Sequence, residues 1–285
     1  MKLARFGAIG RERPALVDDN GRLRDVSSVV PTFDPTTLTA PTLAALRRLD
    51  PTDFPLVPAR TRLGTPWAGI SKYIGIGLNY RDHALETGAQ LPTEPVVFLK
   101  AISCLSGPND PIIRPPESTR LDWEVELGIV IGRRASHVSQ ADALSCVLGY
   151  CLLNDVSERG FQKDRGGGQW TKGKGCDSFG PVGPWLVTRD EVPDPAALRL
   201  WLTVNGETMQ DGSTAEMVFG VAELVSHVSR FMTLMPGDLI ATGTPAGVGM
   251  GKTPPRYLQP GDEVHLGIDG LGEQRQRVID WNSGR

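Results

Sequence analysis

Nowhere in the 285-residue sequence does an apolar run approach the roughly 18 residues of a membrane span, so no membrane partner is expected. Basic charge is not in excess either. The 30 Lys and Arg stand against 33 Asp and Glu, a net charge of -3, which leaves no electrostatic footprint for nucleic acid or an anionic lipid surface. Cysteine is scarce: Cys104, Cys146, Cys151 and Cys176 show neither CxxC spacing nor the density of a disulfide framework. Cys176 lies in a Gly-rich stretch, but nothing in its neighbourhood would activate a thiolate. Charges at Lys2, Arg5, Arg11, Glu12 and Arg13 interrupt the apolar stretch a secretory leader needs. A reduced, soluble, cytoplasmic protein is the resulting expectation. Internal repeats and low-complexity tracts are also missing.

Glycine and proline are abundant. The 33 Gly and 23 Pro exceed the usual combined share of roughly 12 %. Charged and aliphatic residues are spread throughout, so the excess reads as tight turns between short strands and not as disorder. Residues 1–70 look like a small unit of their own. Its signals are two apolar runs around Asp18-Asp19-Asn20-Gly21, a hairpin signature, a short helix over Leu43 to Leu49, and a proline-rich loop from Pro51 to Pro66. Residues 71–285 form the second, catalytic unit, with many short β-like runs separated by Gly, Pro, Asn and Asp. Two helical patterns interrupt them, Asp142 to Leu148 and Val221 to Leu234. In the second, Val221, Leu224, Val225 and Val228 follow i, i+3, i+4, i+7 spacing. So many strands with so few helices argue for a mixed sandwich, roll or barrel over a doubly wound parallel sheet.

Three glycine stretches resemble phosphate loops and are set aside. Ala246 to Thr253 approximates Walker A spacing, but Pro254-Pro255 follows and no helix pattern opens there to hold phosphates. Gly75-Ile76-Gly77 lacks the third glycine of a dinucleotide fingerprint. Gly166-Gly167-Gly168 has no phosphate grammar at all.

The most informative segment is Asp122-Trp123-Glu124-Val125-Glu126-Leu127. Strand alternation puts the three acids on one face and Trp123, Val125 and Leu127 on the other. Carboxylates two residues apart lie about 7 Å from each other and repel by about 2 kcal/mol at an effective dielectric near 20. A solvated strand face would tolerate this. Yet the strand runs on into the apolar Gly128 to Gly132, as a central strand does, and a second apolar run ends at Asn154-Asp155. An acidic row on a central strand asks for a cation, and all-oxygen ligands favour Mg²⁺ or Mn²⁺ over zinc. A base candidate lies in Asn79 to Glu86. Asn79 can cap a helix that puts His83 and Glu86 on one face at i, i+3, and a carboxylate beside an imidazole makes it a better base. His137, His227 and His265 read as structural, without partners.

GLNYRDHALE, PVVFLK, DWEVELGIVIG, GYCLLNDVSERGFQ, GQWTKGKGCDSFGP, VNGE and PGDLIATGTPAGVG together resemble the fumarylacetoacetate hydrolase family from Tyr73 onward. The resemblance implies an α+β, mainly β chain with a mixed β-sandwich roll, a homodimer, and Mg²⁺ (or Mn²⁺) held by Glu124, Glu126 and Asp155. It implies His83 with Glu86 as a water-activating dyad on a lid and Lys174 as a catalytic cation. It also implies Arg81, Arg159, Gln162, Gly243 and Thr244 as substrate-binding residues. Asp122 fits no ligand position, and Lys172 competes with Lys174 on spacing alone. The implied reaction is hydrolysis of a carbon–carbon bond in a 2,4-diketo acid. The expected substrate is 2,4-diketo-3-deoxy-L-rhamnonate or the L-fuconate equivalent, giving pyruvate and L-lactate. Acylpyruvate hydrolysis, oxaloacetate decarboxylation or tautomerisation, and ureidoglycolate lyase activity are the alternatives.

Overall fold

The computed structural model describes residues 1–284. Fourteen strands build two sheets. In chain order they are β1 (Lys2–Phe6), β2 (Arg13–Val17), β3 (Leu23–Asp25), β4 (Tyr73–Gly77), β5 (Val96–Lys100), β6 (Ile112–Arg114), β7 (Val125–Ile131). There follow β8 (Val147–Asn154), β9 (Leu186–Thr188), β10 (Arg199–Val204), β11 (Glu207–Ser213), β12 (Leu239–Ala241), β13 (Glu263–Ile268) and β14 (Gly272–Asp280). The large sheet has the order β3-β2-β1-β9-β8-β7-β12-β4-β5 and the small one β11-β10-β13-β14-β6. Both are mixed: β12 runs parallel to β4, and β6 parallel to β14, while the other pairings are antiparallel. The centre of the large sheet, β7 and β8, packs on β10, β13 and β14 of the small one. This is the sandwich the strand count implies. Helix-covered faces on both sides, as in a doubly wound fold, do not occur among the described residues.

The Asp18 hairpin forms as its sequence signals, with Asp18 N–H donating to Arg22 O at 2.8 Å. The residues around it do not stand apart. β1 pairs with β9, Leu3 opposite Leu186, so the first three strands extend the large sheet. Leu3, Leu16, Phe33 and Leu46 also join the same apolar core as Ile129 and Leu152. The large sheet and the main core thus cross the boundary expected near residue 70, while Phe6, Ala15 and Val57 form a small core of their own.

Helix boundaries shift for local reasons. The first, α1, spans Ala40–Leu46 and not Leu43 to Leu49, because Thr39 caps it and Pro41 lies in its first turn. The helix expected over Asp142 to Leu148 is one turn, Gln140–Ala143, then a tight turn, before β8 pulls Val147 into register with Ile131. The segment expected to act as a lid is α2 (Arg81–Glu86), and α3 spans Val221–Phe231, ending where Met232 turns extended. Its Val221, Leu224, Val225 and Val228 are all buried.

Candidate active site

A cavity of about 120 Å³ opens at the ends of β4, β7 and β8. Glu124, Glu126, Asp155, Arg159, Gln162, Lys174, His83, Gly243 and Thr244 all line it, so the fold brings together nearly every expected site residue. Arg81 and Glu86 are the exceptions. Arg81 is exposed, and its guanidinium reaches the Ala215 carbonyl at 3.4 Å, outside the cavity. Glu86 is half-buried beside His83 and does not line the cavity.

The two central strands position the acids. Leu153 of β8 lies opposite Glu126 of β7, and Asp155 N–H donates to the Glu124 carbonyl at 2.9 Å, so the chain after β8 returns beside the residue before β7. One oxygen from each of Glu124, Glu126 and Asp155 lies within 4.8 Å of the others. The three are 5 %, 2 % and 0 % exposed, which excludes a solvated strand face. At 4.8 Å and an effective dielectric near 20, each charged pair repels by about 3 to 4 kcal/mol. The side chains record that stress. Burial, with Asp155 and Glu124 alongside, pushes the Glu126 carboxyl well above its ordinary range. Burial would do the same to Glu124, but Lys174 and Arg159 outweigh it and hold that carboxyl low.

Lys174 Nζ donates to Glu124 Oε2 at 2.6 Å and Asp155 Oδ2 at 2.7 Å, and its ammonium stays charged against the burial that opposes it. Lys172 is exposed and donates to the Arg165 carbonyl, so geometry decides between the two lysines. Lys100 was not anticipated. Buried at the end of β5, it donates to Asp155 Oδ1 and to the Phe179 carbonyl at 2.9 Å. A lysine closing the apolar run PVVFLK was the signal available for it.

The acidic row is not a single face. Asp122 ends a two-residue strand paired to Ser157–Glu158, and the chain bends before β7. Its carboxylate accepts four hydrogen bonds, from the backbone N–H of Trp123 (2.9 Å), Gly249 (2.7 Å) and Met250 (3.0 Å) and from Arg159 Nε (2.8 Å). Arg159 then sets its Nη1 on Gln162 Oε1 at 3.1 Å and its Nη2 2.7 Å from Glu124 Oε1. That nitrogen is buried and held at ion-pair distance by the Glu124 carboxylate.

Helix α2 is docked onto the loop that mimics a phosphate cradle. Ala246 N–H donates to Asp82 Oδ2 at 3.2 Å and Gly247 N–H to Glu86 Oε1 at 2.9 Å. Successive amides do bind anions there, as such loops do, but the anions are the protein's own carboxylates. His83 Nδ1 lies 3.3 Å from Glu86 Oε2. Burial would raise the Glu86 carboxyl, yet His83 and the Gly247 N–H hold it below its usual range. Asn79 does not cap α2, whose first residue follows Tyr80. Its buried amide instead donates to the Phe219 and Thr242 carbonyls at 3.1 and 2.8 Å, pinning Leu78 in a left-handed conformation (φ 54°) at the cavity wall.

The loop glycines serve packing more than substrate. A Cβ on Gly173 would come within 2.4 Å of the Gln162 backbone nitrogen, and Gly173 is not in the cavity wall. Gly243 N–H holds Glu126 Oε2 at 2.8 Å, and the Thr244 hydroxyl donates to the Val125 carbonyl while accepting from Gln210. Gln210, unnoticed in the sequence, thereby ties the small sheet to the site. Gly75 and Gly77 acquire a purpose: a Cβ there would fall 2.1 Å from the Phe98 ring and 2.3 Å from the Trp170 ring. Those two rings, 5.4 Å apart, form an aromatic wall of the cavity. Of the remaining histidines, His265 is not partnerless, since its Nε2 lies 2.9 Å from Glu273.

A sequence profile described as the C-terminal part of fumarylacetoacetate hydrolase matches residues 72–279. The chain belongs to the fumarylacetoacetate hydrolase family. Among its relatives is a protein of Burkholderia cenocepacia, named provisionally as a hydrolase, 55 % identical over 281 residues and covering 98 % of this chain and 99 % of the relative. Among solved structures, fumarylacetoacetate hydrolase from Exiguobacterium antarcticum is 39 % identical with a TM-score of 0.85, covering 98 % and 99 % of the two chains. Maleylpyruvate hydrolase from a Sphingobium species, solved with manganese(II) and pyruvate, is 32 % identical with a TM-score of 0.78, again over 98 % and 99 %. The family consists of hydrolases and isomerases, and this chain is an enzyme of that kind with an acidic site suited to a divalent cation. Among the described residues no helix is long and apolar enough to cross a membrane.

Proposed function

We propose that the protein is a metal-dependent hydrolase that cleaves the carbon–carbon bond of a 2,4-diketo acid and releases pyruvate. The observation that carries this is the convergence of three buried carboxylates with Lys174, Arg159 and the His83–Glu86 pair on one small cavity. Glu124, Glu126 and Asp155 fit Mg²⁺ or Mn²⁺ because they offer only hard oxygen donors, and Glu126 is otherwise met by a single backbone N–H. A divalent ion held there supplies Lewis-acid stabilisation of negative charge on the substrate oxygens.

The chain's own groups account for the rest. Arg159 lines the cavity, and its guanidinium suits the substrate carboxylate. With the His83 Nδ1 proton directed at Glu86, Nε2 takes a proton from water as the water oxygen attacks the C4 ketone. The C3–C4 bond breaks, its electron pair moves to the C2 oxygen, and the proton returned to C3 completes pyruvate and the second acid. Lys174 is the protein's cation against that developing charge. The pyruvate in the Sphingobium neighbour supports the head group. The substrate expected from the sequence, 2,4-diketo-3-deoxy-L-rhamnonate, has the required head.

A panel of 2,4-diketo acids, that sugar acid included, assayed for pyruvate release with Mg²⁺, Mn²⁺ and EDTA tests the reading. Release with either ion and none with EDTA is expected. Binding of pyruvate or oxalate without release from any member would leave a binding protein. Activity on oxaloacetate alone, surviving His83→Ala, would leave a decarboxylase.

A further inference from the structure

Amide side chains are mostly found at protein surfaces, yet Asn154, Gln210, Gln274 and Gln276 are each no more than 1 % exposed. Two of them end on the backbone at the bend that separates Asp122 from Glu124 and Glu126. Three consecutive N–H groups there donate to side-chain oxygens: Trp123 to Asp122 Oδ1 at 2.9 Å, Glu124 to Asn154 Oδ1 at 3.2 Å and Val125 to Gln210 Oε1 at 3.0 Å. On the side of β7 that faces β12 no strand reaches Val125, because β12 ends at Ala241 opposite Gly128. Gln210 and the Thr244 hydroxyl, which donates to the Val125 carbonyl, take the place of that strand.

The amides can point only one way. Gln210 Nε2 donates to Thr244 Oγ1 at 2.7 Å and to the Pro245 carbonyl at 2.8 Å, so its oxygen is the atom that meets Val125 N–H. Asn154 Nδ2 donates to Gln276 Oε1 at 3.1 Å, and Gln276 Nε2 to the Pro108 carbonyl at 2.6 Å and Gln274 Oε1 at 2.8 Å. Gln274 Nε2 closes the series on the Leu152 and Gly183 carbonyls at 2.9 and 2.7 Å. Backbone donors at one end and backbone acceptors at the other admit no reversal. A buried network satisfied throughout specifies one arrangement of the groups it joins. Gln210 also grips the loop whose Gly243 N–H holds Glu126 and whose Ala246 and Gly247 N–H groups hold Asp82 and Glu86.

Resting on the cation reading of Glu124, Glu126 and Asp155, we infer that Gln210 and Asn154 are positioning residues for that centre. Their amides replace the strand ladder at the bend and so fix Glu124 and Glu126 against Asp155. Neither residue lines the cavity, so neither touches the cation or the substrate.

The test measures Mn²⁺ binding by calorimetry, well below the melting temperature, on wild type, Gln210→Met and Gln274→Met. Gln210→Met is expected to weaken Mn²⁺ by about 10- to 100-fold, the usual effect of losing an outer partner of a metal ligand. Gln274→Met breaks an equally buried glutamine at the far end of the network. It should lower the melting temperature as Gln210→Met does, and leave the Mn²⁺ affinity at the wild-type value. A Gln210→Met protein that melts lower but binds Mn²⁺ like wild type, or a Gln274→Met protein that loses as much affinity, would make the network a packing device and overturn the assignment. If Gln210→Met does not fold, Asn154→Leu is measured in its place, with the same loss expected and wild-type affinity ending the proposal. If wild type binds no Mn²⁺, the cation reading falls separately, and crystal structures of the metal-free proteins decide. A Glu124 or Glu126 carboxylate displaced by about 1 Å or more in the variant, enough to disable a site, sustains the positioning role, and unmoved carboxylates end it.

Discussion

Asp122 and Glu126 lie four residues apart, both buried, yet they sit in opposite electrostatic situations. Asp122 accepts four hydrogen bonds, one from the Arg159 guanidinium that it shares with Glu124. Glu126 accepts one, from Gly243 N–H, and faces Glu124 and Asp155. A buried acid whose lone pairs are filled by the protein is a structural clamp. One left with a single donor and two like-charged neighbours is suited to a cation. Asp18 of the first hairpin belongs with Asp122: Asn20 N–H, Arg22 N–H and Arg24 Nε satisfy it.

This contrast can be broken from the ligand side first. Glu126→Gln should lower kcat/KM by more than about 10³-fold, on the scale of a lost transition-state charge stabiliser. The metal-free protein should melt no lower than wild type, because a repelled carboxylate has gone. Wild type with Mn²⁺ at a hundred times Kd should gain about 2.7 kcal/mol of stability, and thermal melts should show that gain missing from the variant. An equally large Mn²⁺ shift in Glu126→Gln would contradict the assignment.

His83→Ala comes next. Loss of a positioned base costs about 10² to 10⁴ in kcat, and the Mn²⁺-induced shift should survive because His83 holds no metal. Asp122→Asn should behave in the reverse way. It removes one of the two carboxylates paired with Arg159, and breaking a buried ion pair costs about 3 kcal/mol or more. A fall in melting temperature with and without Mn²⁺, and a proportionate fall in activity, is expected. A normally stable but inactive Asp122→Asn would move Asp122 into the catalytic set.

The smallest effect sharpens the structural end. Burial alone would raise Asp18, but Arg22, Arg24 and Asn20 hold its carboxyl at about 2, below the roughly 3.9 of an unfolded chain. Its stabilisation is therefore complete above about pH 4 and lost as pH falls toward 2. Denaturation midpoints of Asp18→Asn should lie below wild type at pH 7 and converge with it by pH 2. A constant gap across that range would mean that shape and not charge is what Asp18 supplies.

Much of this was legible in the residues. Strand-heavy punctuation, the amphipathic spacing of Val221 to Val228, the Asp18 turn and the acids flanking an apolar strand are local patterns, and local patterns survive translation into sequence order. The ligand trio, the His83–Glu86 pair and Lys174 could be named from motifs because they sit in short conspicuous runs. Lys100 and Gln210 could not, since each acts on groups 34 to 85 residues away. Asn79 and Arg81 show the complementary case: the fold turns the capping candidate inward and the charge beside the histidine outward.

Residue chemistry by itself determined that a hard cation and a mainly β framework were called for, because a buried oxygen-rich row has few other physical explanations. Only the tertiary structure decided which acids were left short of donors. Strand alternation makes Asp122, Glu124 and Glu126 equivalent. The bend before Val125, the arrival of Gly249, Met250 and Arg159 at Asp122, and the return of Asp155 beside Glu124 make them different. Donor counts are set by residues brought in from distant parts of the chain, and no local pattern records them.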